Sequence, residues 1–269
     1  MSKGDPKEYA LRVDRNVCGQ RQASRIWNQY LVKILTKKLG FIQSKYDECI
    51  FYRGSTIYLL YTDDSILAGP NKQEINEIID EIENSNLDIT ILGDIKDFLG
   101  VHVSKEDDGR LHISQPHLID QIIDKTFQSK AKPRWTPARS SSILHRHHHL
   151  PSFAPEFNYK SIIGKLNYLE RGTRSDMSYA THQCARFTSD PKRPHVEAVR
   201  WLVRYLIGTR KKGHYVNPSS KQGLEVYVDA DFSGNWDPSQ PEKDRDTARS
   251  RHGYVIRHMG APITWKSQL

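Results

Sequence analysis

The sequence has no run of about 18 apolar residues, so no segment has the character of a membrane-spanning helix. Its opening stretch, Met1 to Asn16, lacks the apolar centre of a secretory leader. Cysteine is scarce: Cys18, Cys49 and Cys184 are odd in number and far apart, which excludes a disulfide framework and the paired spacing of a structural zinc site. Hydrophobic residues make up only 37% of the 269 positions, against about 45–50% in ordinary globular chains. Mean hydropathy is −0.68. No internal repeat is visible. These shortages lead to the expectation of a cytoplasmic or nuclear protein that is neither secreted nor membrane-bound. Positive charge, by contrast, is plentiful. Forty Lys and Arg against 32 Asp and Glu leave a net charge of +8. That balance favours a polyanionic partner, nucleic acid above all.

Periodicity predicts an α+β chain. Ala23 to Gly40 places Trp27, Tyr30, Leu31, Ile34, Leu35 and Leu39 at helical spacing, with Gly40 as the stop. Phe51 to Tyr61 and Ile66 to Ala68 read as strands flanking Thr62-Asp63-Asp64-Ser65. Asn71 to Asn86 reads as a helix burying Ile75, Ile78, Ile79 and Ile82. Phe98 to Ser104 and Arg110 to Ser114 read as strands joined through Glu106 to Gly109, and Pro116 opens another helix. From Ser129 to Pro155 the pattern vanishes among Pro133, Pro137, Pro151, Pro155 and the tract His145-Arg146-His147-His148-His149, which suggests a linker. Three adjacent histidines cannot all aim inward from a regular element, and no Cys or acid stands nearby at ligand spacing. Helices follow at Tyr159–Arg171, Asp176–Ser189 and His195–Gly208. Strands are then expected at Leu224–Asp229, Gly253–His258 and Ile263–Trp265.

The sharpest motif is Tyr61-Thr62-Asp63-Asp64. Adjacent carboxylates at a hairpin turn can converge on one cation because the turn breaks the strand's alternation. Mg²⁺ suits such a pair, being a hard ion that takes oxygen ligands and substrate phosphates. Asp-Asp is also common in solvated turns, and the motif alone leaves both readings open.

The surrounding order of motifs narrows the choice. Gly19-Gln20-Arg21-Gln22-Ala23-Ser24-Arg25-Ile26-Trp27 comes first, then Tyr61 to Asp64, Leu92-Gly93, Phe98-Leu99-Gly100 and Ile113-Ser114-Gln115. Tyr159-x-Ser161-Ile162-Ile163-Gly164-x-Leu166-x-Tyr168-Leu169 follows, with Thr173-Arg174-Ser175-Asp176, Arg204-Tyr205-Leu206-x-Gly208-Thr209 and Val228-Asp229-Ala230-Asp231-Phe232-Ser233-Gly234. In order and spacing this series resembles the reverse transcriptase and RNase H regions of copia-type retrotransposon polyproteins. The resemblance implies that Asp63 and Asp64 are Mg²⁺ ligands of a polymerase palm and that Asp229 is the first carboxylate of an RNase H site. It implies that Gly19, Gln22 and Arg25 line the nucleotide and template, and that Phe98, Leu99 and Gly100 grip the primer end. The partners it implies are an RNA template, a DNA primer or their hybrid. Arg200 and Arg204, four apart on one helix near Lys211 and Lys212, would track phosphates without reading sequence.

Departures from the family pattern are equally definite. The family's third palm carboxylate has no counterpart in an apolar strand; the nearby acids are Asp5, Glu8 and Asp14. Cys18, Arg21, Ser24 and Ser175 replace tyrosine, lysine, proline and proline, and Arg249-Ser250-Arg251-His252-Gly253 stands where Lys-Ser-Thr-Ser-Gly is usual. Truncation at both ends is expected. Residues 1–128 would form a partial palm and thumb, 129–155 a linker, 156–215 a helical connection and 216–269 an incomplete RNase H-like sheet. The expected activity is that of a catalytically silent polymerase fragment or, as the alternative, a non-catalytic nucleic-acid-binding remnant.

Overall fold

The computed structural model describes residues 16, 17, 19–85, 87–139, 143–147, 149–217, 221–234, 236 and 248–269. Helices and antiparallel sheets occur in two units, 1–94 and 95–269.

In the first unit, α1 (Ala23–Lys33) runs into a single π-helical turn, Ile34–Lys38. The expected helix therefore changes type before Gly40. Thr36 supplies the reason: its hydroxyl donates to the Val32 carbonyl at 2.7 Å, competing with the backbone ladder. The Leu39 amide then closes a wider ring onto Ile34. The sheet is ordered β1-β2-β3-β4, from β1 (Ile42–Gln43), β2 (Ile50–Arg53), β3 (Thr56–Tyr61) and β4 (Asp64–Ala68). Phe51 to Tyr61 is thus two strands. Gly54 at φ +57° turns the chain between Arg53 and Thr56, a conformation that suits glycine. In β3, Thr56, Tyr58 and Leu60 point inward by simple alternation. Tyr58 and Leu60 meet Leu31, Ile34, Leu35, Phe41 and Phe51, together with Ile78 and Ile82 of α2 (Lys72–Glu83), in one core. Asn71 caps α2 by accepting from the Gln73 and Glu74 amides. Arg53 donates to both oxygens of Glu81, tying β2 to α2.

In the second unit, β5 (Asp97–Phe98), β6 (Val101–Lys105), β7 (Leu111–Ser114) and β8 (His214–Val216) form an antiparallel sheet in that order. Phe98 to Ser104 is not one strand, because Leu99 (φ +52°) and Gly100 (φ +74°) reverse the chain between Phe98 and Val101. Strand β8 was not legible in the sequence. It is three residues long and depends on a close approach: a Cβ on Gly213 would fall 2.1 Å from the Ile113 carbonyl oxygen.

Helix α3 (Pro116–Lys125) joins α4 (Tyr159–Thr173), α5 (Ser178–Ala185) and α6 (Arg193–Gly208) around a shared core of Ile119, Ile122, Ile162, Leu166, Leu169, Val199, Leu202 and Leu206. The expected helix from Asp176 to Ser189 is instead a short 3₁₀ turn, Ser175–Met177, followed by α5. The last sheet is ordered β11-β10-β9, from β9 (Leu224–Ala230), β10 (His252–His258) and β11 (Ala261–Gln268).

The described residues of 129–155 are irregular, in keeping with their prolines, but several of them are bonded to the helices. Leu144 is buried in the helical core. The Arg134 amide donates to the Arg204 carbonyl at 3.0 Å, and the Trp201 indole donates to the Thr136 carbonyl at 3.0 Å. His195 Nε2 meets the His145 carbonyl at 2.7 Å, while its Nδ1 accepts from the Lys192 amide. Those two bonds define a neutral imidazole, and burial pushes its pKa down to about 4. The break between units falls at Asp94, well before this segment. Composition marks irregular backbone; it does not report whether that backbone finds partners.

Candidate active site

The carboxylate pair is placed by register. Tyr61 pairs with Asp64 across β3 and β4, which leaves Thr62 and Asp63 as a two-residue turn. Thr62 takes φ +56°, an uncommon conformation for a β-branched residue. Two bonds steady this end of the hairpin. Trp27 of α1 donates its indole Nε1–H to the Thr62 carbonyl at 3.4 Å. Tyr58 donates to Ser65 Oγ at 2.9 Å, and burial raises the Tyr58 pKa. Asp63 and Asp64 themselves are exposed.

Exposed carboxylates are hard oxygen donors, the ligand type that Mg²⁺ takes together with water and phosphate oxygens. Among the described residues no group of three or more His, Cys, Asp or Glu side chains is arranged to hold a metal. Asp5, Glu8 and Asp14 lie outside the described residues.

The other candidates of this motif make local contacts at the start of α1. Gly19 sits at φ +98° just before the helix. Gln22 is the N-cap position, and its amide reaches Asn16 at 3.5 Å and Gln20 at 3.4 Å rather than capping the helix. Arg25 lines a polar groove with Asn28, Gln29, Lys33 and Glu48. Trp27 is the α1 residue that reaches the carboxylate hairpin.

In the second unit, Phe98 and Leu99 are half-buried and Gly100 is exposed at the β5–β6 turn. The Tyr168 hydroxyl of α4 donates to the Leu99 carbonyl at 2.7 Å. Asp229 lies exposed near the end of β9, opposite Gly253 of β10, as its position in the sequence suggested. Arg251, an unusual residue at its motif position, is buried. Its guanidinium contacts His182 Nδ1 at 3.2 Å, donates to Ser267 Oγ at 3.1 Å and lies over the Tyr179 ring, fastening the last sheet to α5.

Arg200 and Arg204 do not form an open cationic face. Arg200 reaches Glu156 at 3.3 Å, and Arg204 Nε donates to the Lys132 carbonyl at 2.6 Å. Both are half-buried and bind the irregular 129–156 stretch to α6. Helical spacing predicted their shared side correctly; it could not show which groups of the chain they bond.

Two motif segments converge in a way the sequence did not reveal. Arg174, with no exposed surface, donates to Asp176 through Nε at 2.9 Å and Nη2 at 3.0 Å, and to Thr209 Oγ1 at 2.8 Å. Tyr205 donates to Asp176 at 2.5 Å, and Lys212 lies 3.3 Å from the same carboxylate. Burial alone would raise the Asp176 pKa, but hydrogen bonds from Arg174 and Tyr205 and the charges of Arg174 and Lys212 hold it at about 2. Arg174-x-Asp176 and Tyr205-x-x-x-Thr209 both belong to the ordered motif series of the sequence; their pairing is a tertiary fact.

Comparison with known proteins gives this arrangement a context. The family described as reverse transcriptase (RNA-dependent DNA polymerase) matches residues 2–140. A retrovirus-related Pol polyprotein from transposon RE2 of Arabidopsis thaliana is 30% identical over 98% of this chain, which spans 17% of that polyprotein. The corresponding polyprotein from transposon TNT 1-94 of Nicotiana tabacum is 28% identical over 98% of the chain and 20% of its own length. A putative transposon Ty5-1 protein of Saccharomyces cerevisiae is 27% identical over 97% of the chain and 82% of its own length. No solved structure matches. With the family match enclosing both the α1 motif and the Asp63–Asp64 hairpin, the chain belongs to the reverse transcriptase family of copia-type retrotransposons.

Proposed function

We propose that this chain supplies part of the working surface of an RNA-directed DNA polymerase. In this reading, residues 1–128 are palm and thumb elements, 129–155 a connecting stretch, 156–215 a helical connection and 216–269 the opening strands of an RNase H-like sheet. The observation that carries the reading is the Asp63–Asp64 pair at a hairpin turn, bonded to α1 through Trp27. Asp63 and Asp64 would hold Mg²⁺, whose chemistry is to neutralise phosphate charge and orient a nucleotide's oxygens. The protein's part is to fix the two carboxylates on a stiff turn. The Leu99–Gly100 turn would hold a primer end, and Asp229 would stand as one carboxylate of a hydrolytic site. An RNA template, a DNA primer or their hybrid would be the ligand. No helix among the described residues is long and apolar enough to cross a membrane.

Asp63 and Asp64 stand at this hairpin, and among the described residues no group of three or more His, Cys, Asp or Glu is arranged to hold a metal, whereas a two-ion site needs more carboxylate oxygen than two side chains give. We therefore propose that the chain by itself binds primer–template without extending it, the non-catalytic alternative. The test measures hybrid binding and Mg²⁺-dependent primer extension by the same purified 269-residue protein. Salt-dependent binding without extension is the expected result; with about six phosphates engaged, the log–log salt slope is about −5. Extension abolished by Asp63→Asn would restore a complete polymerase site. A folded protein that fails to bind hybrid at low salt would remove the reading altogether.

A further inference from the structure

Tyr168 is 53% exposed, yet its hydroxyl ends on the Leu99 carbonyl at 2.7 Å, across 69 positions of sequence. An exposed tyrosine contributes little to a core, so this bond, and not ring packing, is what the residue adds. It meets the turn of a short hairpin. Strand β5 is two residues long and pairs with β6 at Asp97–His102 and Phe98–Val101. The Val103 amide adds a bond to the Lys96 carbonyl at 2.7 Å, and His102 Nδ1 meets Asp97 Oδ1 at 3.1 Å, but both lie on the strand side of the turn. Leu99 and Gly100 are both left-handed, and leucine enters that region at a cost that glycine does not bear. Helix α4, which carries Tyr168, is by contrast deeply seated: Leu166 and Leu169 on either side of it are fully buried. The bond therefore ties the tip of a short hairpin to a deeply seated helix.

We infer that Tyr168 is a positioning residue for the Leu99–Gly100 turn, fixing the backbone that receives the recessed 3′ end of a primer. This rests on the reading of that turn given under the proposed function. The residue acts through Leu99 and makes no contact with the ligand itself. Its chemistry is specific: a phenol hydroxyl is required and the ring alone does not suffice.

The experiment compares the full chain with its Tyr168→Phe variant, which keeps the ring. Amide exchange is followed at Gly100 and Val101. Affinity is measured for an RNA–DNA hybrid with a recessed primer end and for a blunt hybrid of the same length. Losing one such bond is expected to speed exchange at the turn by about three- to tenfold. The preference for the recessed end should shrink by a similar factor, with blunt binding unchanged and thermal stability lowered only by the loss of that single bond. Unchanged exchange, a retained recessed-end preference, or an equal loss on both ligands would each overturn the inference while leaving the wild-type reading intact. A wild-type chain that binds hybrid without preferring a recessed end would instead remove the primer-gripping role of the turn, and this inference with it. That failure is visible before any variant is made.

Discussion

Trp27 donates to the Thr62 carbonyl at 3.4 Å and so joins the first helix to the turn that carries the two aspartates. The helix motif and the carboxylate motif, separate in sequence, are parts of one local structure. Thr62 holds its left-handed backbone with that support.

Replacing Trp27 by Phe keeps an aromatic ring and removes the indole donor. The expected result is faster amide exchange at Asp63 and Ser65 and a stability loss of about 1 kcal/mol. Urea unfolding together with exchange measurements checks this. Exchange identical to wild type at the turn would show that the bond does not hold it.

The Arg174 cluster predicts a far larger effect. Arg174→Met leaves Asp176 partly buried without its principal cation, at a cost of about 3 kcal/mol or more. Adding Asp176→Asn should recover part of that loss, because the uncompensated charge is then gone. A double-variant cycle in urea measures the coupling. Additive losses would mean that the two side chains act independently despite their geometry.

Acid should destabilise the second unit in two stages. His195 and His214 both have pKa values lowered to about 4, with burial the principal cause. Unfolded histidine titrates near 6.5. Between those values the unfolded chain binds more protons, so stability is full above about pH 6.5 and falls as the pH drops toward 4. For the fully buried His195 the loss is on the order of 3 kcal/mol. Asp176, held at about 2, adds a second loss below its ordinary value of 3.8. Unfolding curves from pH 7 to pH 3 test the order. His195→Gln should flatten the first stage and leave the second, and an unflattened first stage would assign that loss to other groups.

Arg200→Ala and Arg204→Ala separate a structural role from a phosphate-tracking one. Their bonds to Glu156 and to the Lys132 carbonyl predict a stability loss of about 1 kcal/mol for Arg204→Ala and less for Arg200→Ala. The salt slope of hybrid binding should stay the same. A slope flattened by about one unit per substitution would show that these arginines reach phosphate after all.

Much of the architecture was legible because local chemistry is periodic. The isoleucines of α2 and α3, the alternation of Thr56, Tyr58 and Leu60, and the register that sets Asp229 opposite Gly253 follow from side-chain spacing and strand geometry. The carboxylate hairpin was legible for the same reason, since polar residues between two apolar strands leave few alternatives. Breaks were harder to see. Gly54 and Leu99–Gly100 divide stretches that look continuous, because apolar residues on both sides of a tight turn read as one run.

By itself, then, the sequence determined most of the helices and strands, the placing of Asp63 and Asp64 at a hairpin, and a family membership carried by ordered motifs. Tertiary structure alone decided which polar groups were already spoken for. Spacing put Arg200 and Arg204 on one side of α6, but only folding supplied the partners that occupy them. It also brought Arg174 to Asp176 and Tyr205, and Tyr168 to Leu99. Hydrogen bonds and ion pairs act over a few ångströms in space without regard to distance along the chain, so their partners are fixed only when the chain has closed on itself.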